Sequence, residues 1–442
     1  MTPPGGEAAA GGDGTRRRLA RARAATMIVL FVLAVVLGSW APRVAQVKGE
    51  LGLGDGRLGL ALLGAPSGAV ASLWLAGIAV TRFGSVAVVR AALPAYCGVG
   101  ALLVLVHGQW SLFALLALWG ATSSGLDIAA NAQAVGVQAG YGRPIMASAH
   151  AAWTAGALSG AGIGTAAAAL AVPMGAQFAV LGAICLLVAL PVTRWMLADP
   201  VRVAREDPRP CDTGGAGPVA AGVHPGRARR LRRRAVGPFA ALCAVSFGSF
   251  LCEGVAADWS GVYLTEVTGA AASGAGAGFV AFTVCMLAVR LVGDRALGRF
   301  GPTRTVRALA GAAIVGFATA LALAASPGGA IAGVLGFGTI GAGTACVAPA
   351  VFSRAAQLGA SAGRSIALVS TVGYAGWLAG PPLVGGLAEL AGLHRALTVV
   401  LLLLATIAAF APALSSPGID PRRAGSPKRV GGDVRRSARV DR

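Results

Sequence analysis

Charge is scarce in this chain: Asp, Glu, Lys and Arg make up 12% of its 442 residues, against roughly a quarter in a soluble domain. With 56% hydrophobic residues and a mean hydropathy of +0.72, a water-soluble globule is excluded. Lysine is almost absent, since only Lys48 and Lys428 stand among the 37 basic residues; with abundant Ala and Gly this points to a GC-rich, bacterial genome. No Cys-x-x-Cys or Cys/His ligand spacing occurs. Six of the seven cysteines (Cys97, Cys185, Cys243, Cys252, Cys285, Cys346) lie in apolar stretches, so neither a disulfide framework nor a metal site is indicated. Neither a metalloprotease His-Glu-x-x-His sequence nor a Walker A loop is found, which removes nucleotide hydrolysis as an energy source. An enzyme is not expected, and no cofactor.

What the sequence has in quantity is apolar runs of spanning length. They lie at about 25–44, 58–80, 86–106, 111–137, 147–171 and 174–197, and again at 237–264, 274–293, 304–325, 328–350, 365–388 and 394–412. Each approaches the ~20 residues that cross a bilayer as a helix. The expected fold class is an all-α membrane protein with twelve transmembrane helices in two six-helix bundles. The domains expected are a disordered cytosolic stretch 1–24, a first bundle 25–197, a basic cytosolic linker 198–236, a second bundle 237–412 and a disordered basic tail 413–442. Arg16-Arg17-Arg18 before the first run also fits a cleaved signal. Removing that run would leave an odd helix count, so it is read as helix 1.

The formal net charge of +20 suggests nucleic acid until the charges are placed. Arg16–Arg23, Arg82, Arg143, the linker, Arg295–Arg307, Arg354, Arg364 and the tail all fall on one side of the runs. The other side holds little beyond Arg43, Lys48, Arg57 and Arg395. Loop Lys/Arg bias sets orientation, so both termini are expected in the cytoplasm of a bacterial inner membrane, with no nucleic-acid partner. The linker, rich in Pro, Gly and Arg, suits a flexible segment lying against anionic headgroups.

The halves echo one another. Arg82-Phe83-Gly84 between helices 2 and 3 returns as Arg299-Phe300-Gly301 between helices 8 and 9, and Gly142-Arg143-Pro-Ile before helix 5 returns as Gly363-Arg364-Ser-Ile before helix 11. Internal repeats of this kind mark transporters whose site lies at midplane between the halves.

On these residues the sequence resembles the major facilitator superfamily over nearly its whole length. Gly77-Ile-Ala-Val-Thr81-Arg82-Phe83-Gly84-Ser85 is similar to that family's helix 2–3 loop motif, with Thr81 in place of the acid and Ser85 in place of a base; in the second half the acid is displaced to Asp294. Helix 5 carries Gly156-x3-Gly160-Ala161-Gly-Ile-Gly164, similar to an antiporter motif but with Ala161 where proline is expected. Finer features, among them Asp127-x3-Asn131 and Glu253-Gly-x3-Asp258-Trp259, look like a bacterial branch near the fucose-permease-like sugar transporters. The resemblance implies that helices 1, 4, 7 and 10 line a central cavity.

Ionisable groups in a bilayer are costly and are functional candidates by default. On helix 4, Asp127, Asn131 and Gln138 recur at spacings of four and seven, which sets them on one face. Asp127 is the expected proton carrier, because a carboxyl held away from bulk water can load and release a proton; a structural hydrogen bond to a neighbouring helix is its bland alternative. Glu253, midway along helix 7, is the second proton carrier or a solute ligand, and Asp258 with Trp259 is expected at the outer rim. Arg290 and Asp294, an i, i+4 pair near Arg299, are read with Arg82 as gating residues at the inner end. His150 and Trp153 on helix 5 and Tyr374 and Trp377 on helix 11 are expected solute contacts, the aromatics by stacking. Trp40 and Arg43 offer a further stacking surface.

The function expected is secondary, proton-coupled transport of a small solute by a monomer through alternating access. The helix 5 motif leans towards export of an amphipathic compound and the fucose-permease-like features towards sugar uptake. An uncoupled facilitator, or a membrane sensor or scaffold with the same fold, is the alternative.

Overall fold

In lipid every backbone N–H and C=O must be satisfied inside the protein, and this chain does so with helices. The structure, a computed structural model, describes residues 7–141, 145–198, 225–358 and 362–415. The first six long helices are α1 (Glu7–Gly38), α2 (Gly64–Phe83), α3 (Ser85–Ala101), α4 (Gln109–Tyr141), α5 (Met146–Ala169) and α6 (Met174–Val192). The second six are α7 (Pro225–Val262), α8 (Ala277–Phe300), α9 (Pro302–Ala322), α10 (Gly329–Thr344), α11 (Ala362–Ala391) and α12 (Val399–Phe410). A short helix, Asp55–Leu62, leads into α2, and Val347–Leu358 prolongs α10 after a break.

The expected spans are recovered within a few residues, and two boundaries change. Helix α1 starts at Glu7 and α7 at Pro225, so much of the expected disordered start and the end of the expected linker continue the neighbouring helices. Residues 199–224 and 416–442 lie outside the described residues.

Among the described residues, ten helical segments are long and apolar enough to cross a membrane. The other two long helices, α5 and α11, are diluted by Gly and Ala, and the packing shows why. Helix α5 lies against α1, where a Cβ on Gly156, Gly160 or Gly164 would stand 2.3, 2.1 and 2.4 Å from the carbonyl oxygens of Phe31, Val35 and Ser39. The glycine series that resembles an antiporter motif is therefore a contact ridge. Helix α11 packs on α7 in the same way, with Gly376 against Phe247 O at 2.4 Å.

The pattern repeats throughout. Helix α2 packs on α4 as α8 packs on α10, α3 on α4 as α9 on α10, and α3 on α6 as α9 on α12. The halves meet through α5 with α8, and through α11 with the Asp55–Leu62 helix that opens α2, again a symmetric pair. The Arg-Phe-Gly repeat also has one conformation in both copies: Gly84 and Gly301 have φ of 89° and 81°, their N–H groups close α2 and α8 on Val80 O and Leu297 O, and each arginine lies over the adjacent phenylalanine ring. Left-handed φ at this reversal favours glycine. The other repeat falls on residues 142–144 and on the side chain of Arg364, outside the described residues.

Gly160→Ala is expected to lower the Tm of detergent-purified protein, at a cost of roughly 1–3 kcal/mol for overpacking. Gly162→Ala, where a Cβ meets nothing within 4 Å, serves as control and is expected to leave Tm unchanged; equal Tm in both variants would show that α1 and α5 are not held at backbone contact.

Candidate functional site

Three-dimensional packing brings polar side chains of both halves to one place at mid-depth. On α4, Asn131 Nδ2 donates to Asp127 Oδ1 at 3.0 Å and to the Asp127 carbonyl at 3.0 Å, so the expected polar face exists and is internally bonded. Tyr374, from α11 in the other half, is within electrostatic range of both Asp127 and Glu253. It is 47% exposed, and its ring meets Phe250 of α7 edge-on at 5.5 Å. Asp127 and Asn131 come from α4 in the first half, and Glu253 and Tyr374 from α7 and α11 in the second.

Arg290 lies close to this cluster. It stands just past the middle of α8, with Nη1 3.4 Å from Thr154 Oγ1 on α5 and Nε 3.3 Å from the Ala345 carbonyl. That carbonyl is available because α10 breaks between Thr344 and Val347. Glu253 and His150 are both within electrostatic range of the guanidinium. The side chain of Asp294 lies outside the described residues. Arg82 and Arg299 are exposed and stack on their own phenylalanines, at the arginine-rich end of the bundle.

The remaining expected contacts divide. Trp153 is half-buried beside the core. Trp377 presses against α7 where Gly254 lacks a side chain; a Cβ there would lie 2.9 Å from its ring. Its indole Nε1 is buried without a hydrogen-bond partner, as is the Ser249 hydroxyl one turn before Glu253. Gln138 is engaged within the first half: its Oε1 accepts from Ile145 N, just before α5, at 2.9 Å. Trp40 is not a stacking surface, being buried edge-on against Trp119 at 5.9 Å. Arg43 is fully buried, its Nε donating to Gln177 Oε1 at 2.6 Å and its other nitrogens to Gln46 and the Val172 carbonyl. Trp259, expected at the rim, is fully buried.

Sequence reasoning missed Ser249 and Thr154. A signal existed for Ser249, which precedes Glu253 by four residues on one helix face; Thr154 carried none, since its importance comes from Arg290 across the interface.

The end of the bundle opposite the arginines is closed. Lys48 Nζ binds Asp55 Oδ1 at 2.5 Å within the first half and Glu266 in the second. Gly56 N donates to Glu389 at 3.1 Å, and Gly59 and Gly385 let backbones touch, with Pro381 O 2.5 Å from a Cβ placed on Gly59. At the other end, the Val347–Leu358 extension of α10 packs chiefly on α7 and α11 of its own half.

Comparison with known proteins agrees with this architecture. A sequence profile described as Major Facilitator Superfamily matches residues 20–381. The chain belongs to the Major Facilitator Superfamily. It is 32% identical over 391 residues to an uncharacterised MFS-type transporter of Yersinia pestis, covering 88% of this chain and 95% of the relative. Against the membrane protein MosC of Rhizobium meliloti it is 30% identical over 406 residues, covering 90% of each. Among solved structures, the nucleoside transporter NupG matches with a TM-score of 0.62 at 16% identity over 88% of this chain and 97% of that one. An inward-facing bacterial homologue of the human lysosomal transporter Spinster matches at 0.65 and 14%, over 90% of this chain and 99% of that one. Such identities carry the fold. This superfamily member is thus a multi-pass, non-enzymatic MFS-type transporter with bacterial relatives.

If Lys48 holds the closed end shut, the pair Gly56→Cys/Glu389→Cys should cross-link readily with a short bifunctional maleimide. Adding Lys48→Gln should slow that cross-linking; an unchanged rate would assign the closure to the glycine contacts alone.

Proposed function

We propose that this chain is a proton-coupled secondary transporter of a small solute, working by alternating access, with Asp127 and Glu253 as proton carriers. The observation that supports this best is that one carboxyl group from each half, Asp127 and Glu253, lies within electrostatic range of Tyr374, in a bundle whose halves are tied together at the end opposite the arginines. A carboxyl in such a position changes its surroundings when the halves rock, and that is what coupling requires, because protonation must be differently favoured in the two states.

Asn131, His150, Trp153, Tyr374 and Trp377 are the proposed solute contacts, and Ser249 joins them. An exposed phenol, a flat indole and unpaired N–H and O–H donors suit a solute with a ring face and hydroxyl groups, which favours the sugar-like reading and is compatible with kinship to the fucose-permease-like branch. Arg290 holds α5, α8 and the broken α10 together beside Glu253 and is proposed to gate at mid-depth; Arg82, Arg299 and Asp294 are proposed to act at the arginine-rich end. The arginine distribution favours both termini in the cytoplasm, so the closed end is proposed to face outward. The bundles 25–197 and 237–412 are the proposed moving bodies, in a monomer.

The test is the pH inside proteoliposomes of purified wild-type, Asp127→Asn and Glu253→Gln protein as sugars, nucleosides and small amphipathic compounds are added outside. Wild type is expected to show solute-dependent proton flux, lost in both variants. Solute movement without protons in all three would make the protein a facilitator. Binding of the 198–236 segment to a partner with no movement of any solute would support a sensor or scaffold.

A further inference from the structure

The arginine-rich end of the bundle contains a cavity that transport leaves unexplained. It measures about 350 Å³ and is lined by Arg17, Arg18 and Arg21 from the start of α1, and by Arg194, Trp195 and Met196 from the turn that ends α6. Among the described residues, none of those lining it is acidic. Arg18 and Arg21 are three residues apart on one helix and therefore neighbours. Arg194 arrives from the opposite wall with its guanidinium 5.0 Å from the Trp195 ring centroid. Guanidinium groups on two walls of one concavity match the oxygens of a phosphate ester, which arginine binds in bidentate fashion.

The surface beside the cavity identifies the rest of the ligand. Val180, Ile184 and Leu187 on α6 are each at least half exposed, Leu187 to 77%. At spacings of four and three they form one stripe along the helix, and Arg194, exposed and seven residues after Leu187, continues it to the cavity. An apolar bilayer-facing stripe that ends in an arginine pocket with a tryptophan at its lip has the order of parts of a phospholipid: acyl chains, interface, headgroup.

We propose that this cavity is a binding site for an anionic glycerophospholipid, its phosphate held by Arg18, Arg21 and Arg194 and its acyl chains lying on the Val180/Ile184/Leu187 stripe. The lipid bridges the start of α1 and the end of α6 and so staples the first half of the bundle to its leaflet.

The test uses detergent-purified full-length protein exposed to an equimolar mixture of phosphatidylglycerol, cardiolipin and phosphatidylcholine, with retained lipid read by native mass spectrometry. Wild type is expected to retain anionic lipid. The Arg18→Gln/Arg21→Gln/Arg194→Gln variant should bind it about a hundredfold more weakly, at roughly fivefold per arginine. Arg295→Gln/Arg304→Gln/Arg307→Gln, which removes the same charge elsewhere at that end, should retain it as wild type does. Millimolar inorganic phosphate should not displace the lipid. Should the first triple variant fail to fold by its thermal transition, Arg194→Gln alone is expected to weaken retention about fivefold. Equal retention in the pocket variants, equal loss in the control variant, or displacement by inorganic phosphate, which would mark a site for a free anion, would each overturn the proposal.

Discussion

Everything in this structure depends on helix pairs held at backbone contact. Between helices in lipid there is no hydrophobic driving force, and association rests on close van der Waals packing that small residues permit. Here Gly64, Gly68 and Gly120 join α2 to α4, Gly156, Gly160 and Gly164 join α5 to α1, and Gly341 joins α8 to α10, each at a site where a Cβ would meet a carbonyl oxygen at 1.8–2.4 Å. Bundles assembled this way have little room for polar side chains in their interiors. Some of the polar groups that remain are bonded within one half, as Arg43 is to Gln177 and Gln133 to Ser85; Arg290 instead stands between the halves, at the break in α10.

Two sets of charges occupy that interface and have different work to do. Lys48 is buried between acids from both halves at the closed end, and its partner Glu266 is half-exposed, so the pair is partly solvated and contributes modestly. Asp127, Glu253 and Arg290 lie deeper, where an unpaired charge is expensive and a change of surroundings has large consequences. Weak, separable contacts at one end with the costly groups at the centre suit the alternating access proposed above, in which a rocking pair of bundles exposes one site to each side in turn.

Much of this was legible in the residues. Twelve apolar runs foretold twelve helices because lipid allows the backbone little else. The Arg-Phe-Gly repeat foretold an identical reversal in both halves because few residues besides glycine accept a φ near 85°. Asp127 and Asn131 foretold their own hydrogen bond because four residues make nearly one helical turn. Each of these follows from a local rule or a local period.

What tertiary structure alone decided concerns partners far away in the chain. Sequence pairs Arg290 with Asp294 because it displays neighbours on one helix; among the described residues its hydrogen bonds reach Thr154, 136 residues distant, and the carbonyl of Ala345. Gln138 shares a helical stripe with Asp127 and yet bonds the backbone at the start of α5, since a stripe fixes direction and not depth. Residue type assigns Trp259 to the rim and Trp40 to a stacking surface, and both lie in the core, because an indole goes wherever packing leaves a slot its size. Sequence determined which segments are helices, how many there are and which faces are polar, all properties of a single helix. Which faces meet is a property of the packed whole, set by shape complementarity among residues that no local period connects.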